Sequence, residues 1–115
     1  MRDDDLCYLT ASEAQKLFRA RKLSPVELMK ALIARAESVD KKLKAFTFKH
    51  FDEALENARK AEAKFMKAGA RLGALEGLAI GIKDESFIAG KPTSFGSLIT
   101  KDSCRRRHPP TTNAF

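Results

Sequence analysis

Apolar residues recur every three or four positions near the start of the chain, the spacing that places side chains on one face of an α-helix. Residues 10–13, Thr-Ala-Ser-Glu, form a capping box, in which the two end side chains bond to each other's backbone. A second start signal lies at Ser24 and Pro25, because serine is a favoured helix cap and proline suits the first helical position. The pattern therefore predicts helices over about 11–22 and 25–39.

The period of the pattern changes in the middle of the chain. Residues 43–48, Leu-Lys-Ala-Phe-Thr-Phe, are rich in strand-forming side chains, so a short strand is expected over about 44–48. Asp52 can cap a third helix, whose apolar positions share one face as far as a natural stop at Gly69. This part of the sequence predicts a helix over about 52–68.

A different pattern occupies residues 78–83, Leu-Ala-Ile-Gly-Ile-Lys. It is apolar without alternation, which is typical of a strand buried on both faces within a sheet flanked by helices. Such a strand needs neighbours on both sides, and 44–48 is the one candidate; residues 109–115 look like the start of a further helix. We therefore expect the amino-terminal part of an α/β domain, helix-rich here with two or three strands, whose carboxy-terminal remainder is absent. A compact helical domain with a peripheral hairpin is the alternative.

The composition is that of an ordinary globular protein, with 43% apolar and 32% charged residues in a chain of 115. No apolar run is long enough to cross a bilayer. The acidic start of the chain also lacks the apolar stretch of a secretory signal. A cytoplasmic protein without a membrane partner is therefore expected.

The net charge is +7, with an excess of lysines that begins at Lys41 and a second basic cluster at residues 105–107. Basic patches can bind phosphate-rich polymers, but no aromatic interleaving or nucleic-acid motif accompanies these residues. Solvated lysines on helix faces are expected, and a nucleic-acid partner is not. The two cysteines and the two histidines lie far apart without metal-ligand spacing, so no metal site is expected.

Lys83, which closes the apolar segment, is the candidate for chemistry. Open α/β sheets place catalytic groups at strand ends. An amine held at the edge of a dry core is penalised for carrying charge, so its neutral form becomes available as a base. Neutral lysines activate serine nucleophiles in several unrelated enzymes. From position alone, a lysine that reaches to water or pairs with an acid such as the adjacent Asp84 is the more ordinary interpretation.

Four segments of the chain resemble the amidase signature family. Residues 77–84, Gly-Leu-Ala-Ile-Gly-Ile-Lys-Asp, are similar to the strand that delivers the catalytic lysine in that family. Residues 90–97, Gly-Lys-Pro-Thr-Ser-Phe-Gly-Ser, are similar to the loop that follows it. Upstream, 23–28, Leu-Ser-Pro-Val-Glu-Leu, resembles the start of the family's second helix, and 43–46, Leu-Lys-Ala-Phe, its first short strand segment. Each is unspecific alone, but the four occur in the family's order and spacing.

The resemblance implies a three-layer α/β/α fold that hydrolyses amides with a Ser–cis-Ser–Lys triad and no cofactor. In this family, Lys83 would take a proton through the bridging cis-serine from the nucleophilic serine, and backbone N–H groups would stabilise the oxyanion. The family's two serines lie in a Gly/Ser-rich segment well downstream of the lysine. Here Ser86, Ser94, Ser97 and Ser103 follow Lys83 without such a run, so neither serine role is assigned.

Three functions follow as hypotheses. The favoured one is a fragment of an amidase that acts on a small-molecule amide and is inactive alone. A second is a fragment of an A-type subunit of glutamyl-tRNA amidotransferase, which would give the lysine excess an RNA partner. A third is a non-catalytic small basic binding protein derived from the family. Glu85 stands where the family more often has asparagine, and residues 105–107, Arg-Arg-Arg, fit no family feature.

Overall fold

The structure, a computed structural model, describes residues 2–103 and divides the chain into two compact units, Met1–Ala79 and Ile80–Phe115. The described part of the second unit, residues 80–103, consists of turns and irregular backbone, with an isolated bridge residue at Pro92. The described part of the first unit contains four helices: α1 (Asp3–Leu6), α2 (Ala11–Arg19), α3 (Pro25–Leu43) and α4 (Phe51–Met66).

None of these described helices is both long and apolar enough to cross a membrane. The predicted helix start at 109–115 and the arginine cluster at 105–107 lie outside the described residues. Helix α2 ends at Arg19, before the predicted end near residue 22, and the chain then turns through Arg21, which has a positive φ of 56°.

Local capping interactions define the starts of α2 and α3. The Thr10 hydroxyl accepts a hydrogen bond from the backbone N–H of Glu13 at 3.2 Å, and the Glu13 carboxylate accepts one from the backbone N–H of Thr10 at 2.9 Å. This backbone bond holds the pKa of the Glu13 carboxyl below its usual value. Ser24 caps α3 by accepting from the N–H of Val26 at 2.9 Å, and Pro25 is the first helical residue.

The core of the first unit draws on α1, α2 and α3. Phe18 of α2 is only 1% exposed, and its ring lies 5.5 Å from that of Phe65 in α4, centroid to centroid. Burial of such a side chain stabilises the fold by about 1.5–3 kcal/mol. The rest of the buried apolar cluster consists of Leu6, Ala14, Leu23, Leu28 and Ala31. Helices α2, α3 and α4 therefore each bury one apolar face, whereas the short α1 buries Leu6.

Helix α3 runs to Leu43, past its predicted end, and the segment after it is not the predicted strand. The buried Asp40 carboxylate accepts hydrogen bonds from the backbone N–H groups of Ala45, at 2.7 Å, and Phe46, at 3.2 Å. A strand over 44–48 would have to offer such donors to a neighbouring strand. The side chain of Asp40 takes them instead, so this segment wraps around the end of α3.

The second predicted strand, 78–83, lies outside helices, turns and strands in the structure. Ile80 is 46% exposed and Ile82 is 43% exposed, whereas a strand buried on both faces would hide them. A strand is stabilised by hydrogen bonds to a neighbour, and the one candidate neighbour, 44–48, bonds to Asp40 instead. The described residues are therefore helix-rich and contain neither predicted strand.

The Asp40 contact predicts a pH dependence of stability. The Lys49 amine lies 2.7 Å from the Asp40 carboxylate, and this hydrogen bond, together with those from the two backbone amides, lowers the pKa of Asp40. A carboxyl whose pKa is lowered by folding contributes stability above its unfolded pKa of about 4, and that contribution is lost as the pH falls through the lower, folded value. Asp40→Asn should therefore unfold at a lower urea concentration than the wild type at pH 7.

Urea unfolding of both proteins at pH 7 and below about pH 4 measures this effect, and the difference between them should shrink at the lower pH. Glu56→Gln, which removes an exposed ion pair with Lys60 on α4, is the matched control. It should change the free energy of unfolding by less than about 0.5 kcal/mol. If Asp40→Asn lowered the free energy of unfolding by the same amount at both pH values, the stabilising role of the ionised Asp40 carboxylate would be contradicted.

Cys7, directly after α1, should react slowly with alkylating agents. Its thiol is partly buried and donates to the carbonyl oxygens of Asp3, at 3.4 Å, and Ala31, at 3.7 Å. Burial raises the pKa of the Cys7 thiol, and the Asp4 carboxylate raises it further. Because the thiolate is the nucleophile, iodoacetamide at pH 8 should modify Cys7 more slowly than free cysteine. Mass spectrometry of a Cys104→Ser variant measures the alkylation rate of Cys7. Unfolding in urea should raise this rate to that of free cysteine. A rate equal to that of free cysteine without urea would contradict the prediction.

Candidate active site around Lys83

Lys83 lies in the second unit with its side chain at the surface. The side chain is 78% exposed, and its amine lies 3.3 Å from the carboxylate of Glu85, which is 58% exposed. The sequence predicts an amine kept dry by a sheet, and the described residues do not provide those surroundings. An exposed pair of this kind contributes between about 0 and 1 kcal/mol, so Glu85 holds the amine only weakly.

The backbone at Lys83 is held more firmly than its side chain. The Lys83 carbonyl oxygen accepts hydrogen bonds from the backbone N–H groups of Glu85, at 2.8 Å, and Ser86, at 3.0 Å. These bonds form a tight turn directly after the lysine. The turn fixes where the chain leaves Lys83, while the side chain lies exposed beside Glu85.

Asp84 joins this turn to the loop that follows. One carboxylate oxygen of Asp84 accepts from the backbone N–H of Ser94 at 2.8 Å, and the other accepts from the Ser94 hydroxyl. The backbone carbonyl of Asp84 accepts from the N–H of Phe95 at 3.1 Å. Ser94 is only 3% exposed, so these bonds are shielded from water. We refer to this set of bonds between Asp84, Ser94 and Phe95 as the Asp84 clasp.

Neighbouring side chains extend the clasp. The Ser94 hydroxyl also accepts from the backbone N–H of Gly96 at 3.2 Å, and the Ser94 carbonyl accepts from the Thr100 hydroxyl. Thr93, 2% exposed, donates its hydroxyl to the carbonyl of Ser86 at 3.3 Å. The turn after Lys83 is thus bonded to the later loop at more than one point.

In the described part of the chain, no serine hydroxyl is hydrogen-bonded to the Lys83 amine. Among the described residues, the Lys83 amine pairs with Glu85, and the Ser94 hydroxyl donates to Asp84. The Ser97 hydroxyl accepts from the backbone N–H of Ile99 at 3.2 Å. Ser94 and Ser97 are therefore loop hydroxyls that bond to nearby groups. Sequence reasoning missed the role of Asp84, because nothing in its spacing from Ser94 marks the two as partners.

Two further observations concern ligands. Within residues 2–103, no group of three or more His, Cys, Asp and Glu side chains is placed to hold a metal ion. The first unit has a groove of about 290 Å³ whose lining includes the aromatic residues Phe18 and Phe65. Charged side chains of both signs, including Arg21 and Glu62, also line it.

Comparison with known proteins identifies the family of this chain. Residues 27–110 match the sequence model of the family described as Amidase. The match includes Lys83, the turn after it and the loop held by the Asp84 clasp. The chain therefore belongs to the Amidase family. No solved structure matches the chain.

Individual relatives agree with that assignment. The chain is 35% identical over 99 residues to the A-type subunit of glutamyl-tRNA(Gln) amidotransferase from Fusobacterium nucleatum, covering 86% of this chain and 20% of that protein. It is 33% identical over 100 residues to a protein of Mycobacterium bovis that carries the name of an amidase, AmiD, covering 87% and 21%. The A-type amidotransferase subunit from Chloroflexus aggregans is 38% identical over 95 residues, covering 83% and 19%. The chain thus spans about a fifth of the length of the curated relatives that it matches.

Proposed function

We propose that this chain is the amino-terminal part of an amide hydrolase, with Lys83 as the proton-accepting lysine of a Ser–cis-Ser–Lys triad, and that it is inactive alone. The observation that carries the proposal is the family match over residues 27–110, which contains Lys83 and its following loop. The chain covers about a fifth of its relatives' length, and among the described residues the Lys83 amine pairs with Glu85 rather than with a serine hydroxyl. The two serines would come from the remainder of a longer polypeptide.

The described residues fix the backbone of Lys83 and leave its amine exposed. The backbone of Lys83 is fixed by the turn to Ser86, while its amine stands in water beside Glu85. In the proposed enzyme, the remainder of the polypeptide covers the amine and removes water from it, which favours the neutral form. The weak pair with Glu85 is then exchanged for a hydrogen bond to the bridging serine.

The proposed reaction transfers a proton from the nucleophilic serine, through the bridging serine, to Lys83. The neutral amine of Lys83 accepts a proton from the bridging serine, which accepts one from the nucleophilic serine as its oxygen attacks the amide carbonyl. Backbone N–H groups stabilise the negative oxygen of the tetrahedral intermediate. The proton returns to the departing nitrogen, which leaves as ammonia or an amine. Water then releases the acid from the acyl-enzyme by the same route.

A second candidate is a component of a glutamyl-tRNA(Gln) amidotransferase, because relatives such as those of Fusobacterium nucleatum and Chloroflexus aggregans carry that name. This candidate would give the lysine excess of the chain, with its net charge of +7, an RNA partner. Co-purification of tRNA or of partner proteins with the longer protein would support this candidate. Release of the tRNA in moderate salt would by itself show only a charge effect.

The test begins with the coding sequence after the codon for Phe115. An in-frame Gly/Ser-rich segment supports the hydrolase, and the longer polypeptide should then release ammonia from one or more members of a panel of simple amides. The chain of 115 residues should show negligible turnover on the same panel. A genuine stop codon with an abundant stable product would favour a non-catalytic binding protein. Amide hydrolysis by the 115-residue chain that is lost in Lys83→Ala would overturn the proposal that it is inactive alone.

A further inference from the structure

We propose that Asp84 is a positioning residue for Lys83, which acts through Ser94 to set the direction in which the lysine leaves the backbone. This inference rests on the proposed function, because it assigns Asp84 a role in placing the amine of the same site. The observation behind it is the Asp84 clasp, which uses both carboxylate oxygens and the backbone carbonyl of the residue directly after Lys83.

The clasp contains charge-assisted hydrogen bonds, which most loop contacts lack. Hydrogen bonds to an ionised carboxylate are shorter and stronger than those between neutral groups, and Asp84 receives one on each oxygen from a single residue, Ser94. Two bonds from one residue fix the orientation of the carboxylate as well as its position. Ser94 is 3% exposed and the adjacent Thr93 is 2% exposed, so water competes little for these groups.

The loop is held in a conformation that it would not adopt without support. Phe95 has a positive φ of 53°, in the left-handed region that side chains other than glycine rarely occupy. Such a residue persists where its surroundings over-determine it. Here its N–H donates to the Asp84 carbonyl, and its ring meets that of Phe87 edge-on at 5.5 Å between centroids. The clasp therefore holds this strained residue in place.

This anchoring matters because the side chain of Lys83 is not packed. The side chain is 78% exposed, so few packing contacts direct it. The described residues therefore control the position of the lysine through its backbone. Two amides, those of Glu85 and Ser86, fix the Lys83 carbonyl, and the clasp fixes the following residue. A small change in the path of the backbone moves the amine at the end of a long side chain. Displacements near 1 Å in an active site can lower rates by about 10²-fold.

The first test uses the 115-residue chain and needs no activity. Hydrogen–deuterium exchange should be at least about tenfold faster at the amides of Ser94 and Phe95 in Asp84→Ala, because their acceptors are lost or displaced. Ser94→Ala should speed exchange at Phe95 and Gly96. Ser97→Ala is the matched control: it removes a hydroxyl from the same loop that bonds to Ile99 rather than to Asp84, and it should leave these rates unchanged.

The second test uses the longer polypeptide, with the rate per folded enzyme obtained by active-site titration. Asp84→Ala should lower kcat at least about tenfold with KM within about twofold, since a displaced base slows proton transfer rather than binding. Asp84→Asn, which can still accept from the Ser94 amide, should fall between the wild type and Asp84→Ala. If the two residues act as one unit, Asp84→Ala combined with Ser94→Ala should be no slower than Asp84→Ala alone.

The outcomes separate the two proposals. Unchanged exchange at Ser94 and Phe95 in Asp84→Ala would show that the clasp does not hold the loop and would overturn the inference. Faster exchange with unchanged kcat would show that Asp84 is only structural, which also overturns it. If Asp84→Ala does not fold, Ser94→Ala, which removes a single hydroxyl, carries the same two measurements. An inactive longer polypeptide would defeat the proposed function and this role with it, while the exchange rates would still show whether the clasp forms.

Discussion

Replacing Lys83 by alanine is expected to lower kcat for amide hydrolysis at least about 10³-fold in the longer polypeptide, as removal of a member of a catalytic triad does. The methyl group cannot accept the proton that the bridging serine must pass on. In the 115-residue chain the same change should leave the stability of the fold nearly unaltered, because there the side chain is 78% exposed and its partner Glu85 is exposed as well. Ammonia release by the longer polypeptide and the urea midpoint of the 115-residue chain test the two halves of this prediction.

Lys83→Arg distinguishes a base from a positive charge. Arginine keeps the charge but does not lose its proton at accessible pH, so it should be as inactive as alanine if Lys83 accepts a proton. Lys101→Ala provides the control, since Lys101 is an exposed lysine of the same unit, and it should retain the wild-type rate. Activity in Lys83→Arg close to that of the wild type would show that the charge alone is needed and would contradict the assignment of Lys83 as the base.

Local signals in the sequence were the most informative about the fold. A capping box needs only a hydroxyl and a carboxylate three residues apart, so the Thr10–Glu13 pair could be identified without knowledge of the rest of the chain, and the structure contains it. Ser24 and Pro25 mark the start of α3 for the same reason. The end of α3 depends on Asp40, whose side chain captures the amides of Ala45 and Phe46. No propensity of the residues in 44–48 indicates that contact.

The pairing of segments that lie far apart in the sequence could not be predicted from the sequence. A strand over 78–83 depends on a partner, and apolar composition shows that a segment is suited to burial without showing what buries it. The same limit applies to the site. The position of Lys83 after an apolar segment, with the order of four motifs, led to the family, which the comparison confirms. The Asp84 clasp joins residues ten positions apart through side-chain and backbone groups. An aspartate and a serine at this separation form no known motif, so their pairing could not be predicted from the sequence.

Gly77→Ala is expected to destabilise the first unit by roughly 2–4 kcal/mol, the sum of two effects at one position. Gly77 has a φ of 80°, where a residue with a Cβ is disfavoured by about 1 kcal/mol or more. A Cβ at Gly77 would also lie 3.0 Å from Cγ of Pro25 and 3.2 Å from ring atoms of Phe18 and Phe65. Forcing an extra carbon into a packed site typically costs about 1–3 kcal/mol. Urea unfolding of the 115-residue chain, followed by circular dichroism, measures the loss.

Gly69→Ala separates these two effects. Gly69 has a similar φ of 72°, but nothing lies within 4 Å of a Cβ built there, so this variant reports the backbone term alone, about 1 kcal/mol. The excess of Gly77→Ala over Gly69→Ala is then the steric term. Phe65→Leu should relieve part of it, because leucine lacks the ring atom that approaches the new carbon, and the double variant should lose less than the sum of the two single changes. Equal losses in Gly77→Ala and Gly69→Ala would mean that Gly77 is required only for its backbone conformation and that the contact of Pro25, Phe18 and Phe65 against it is not a close one.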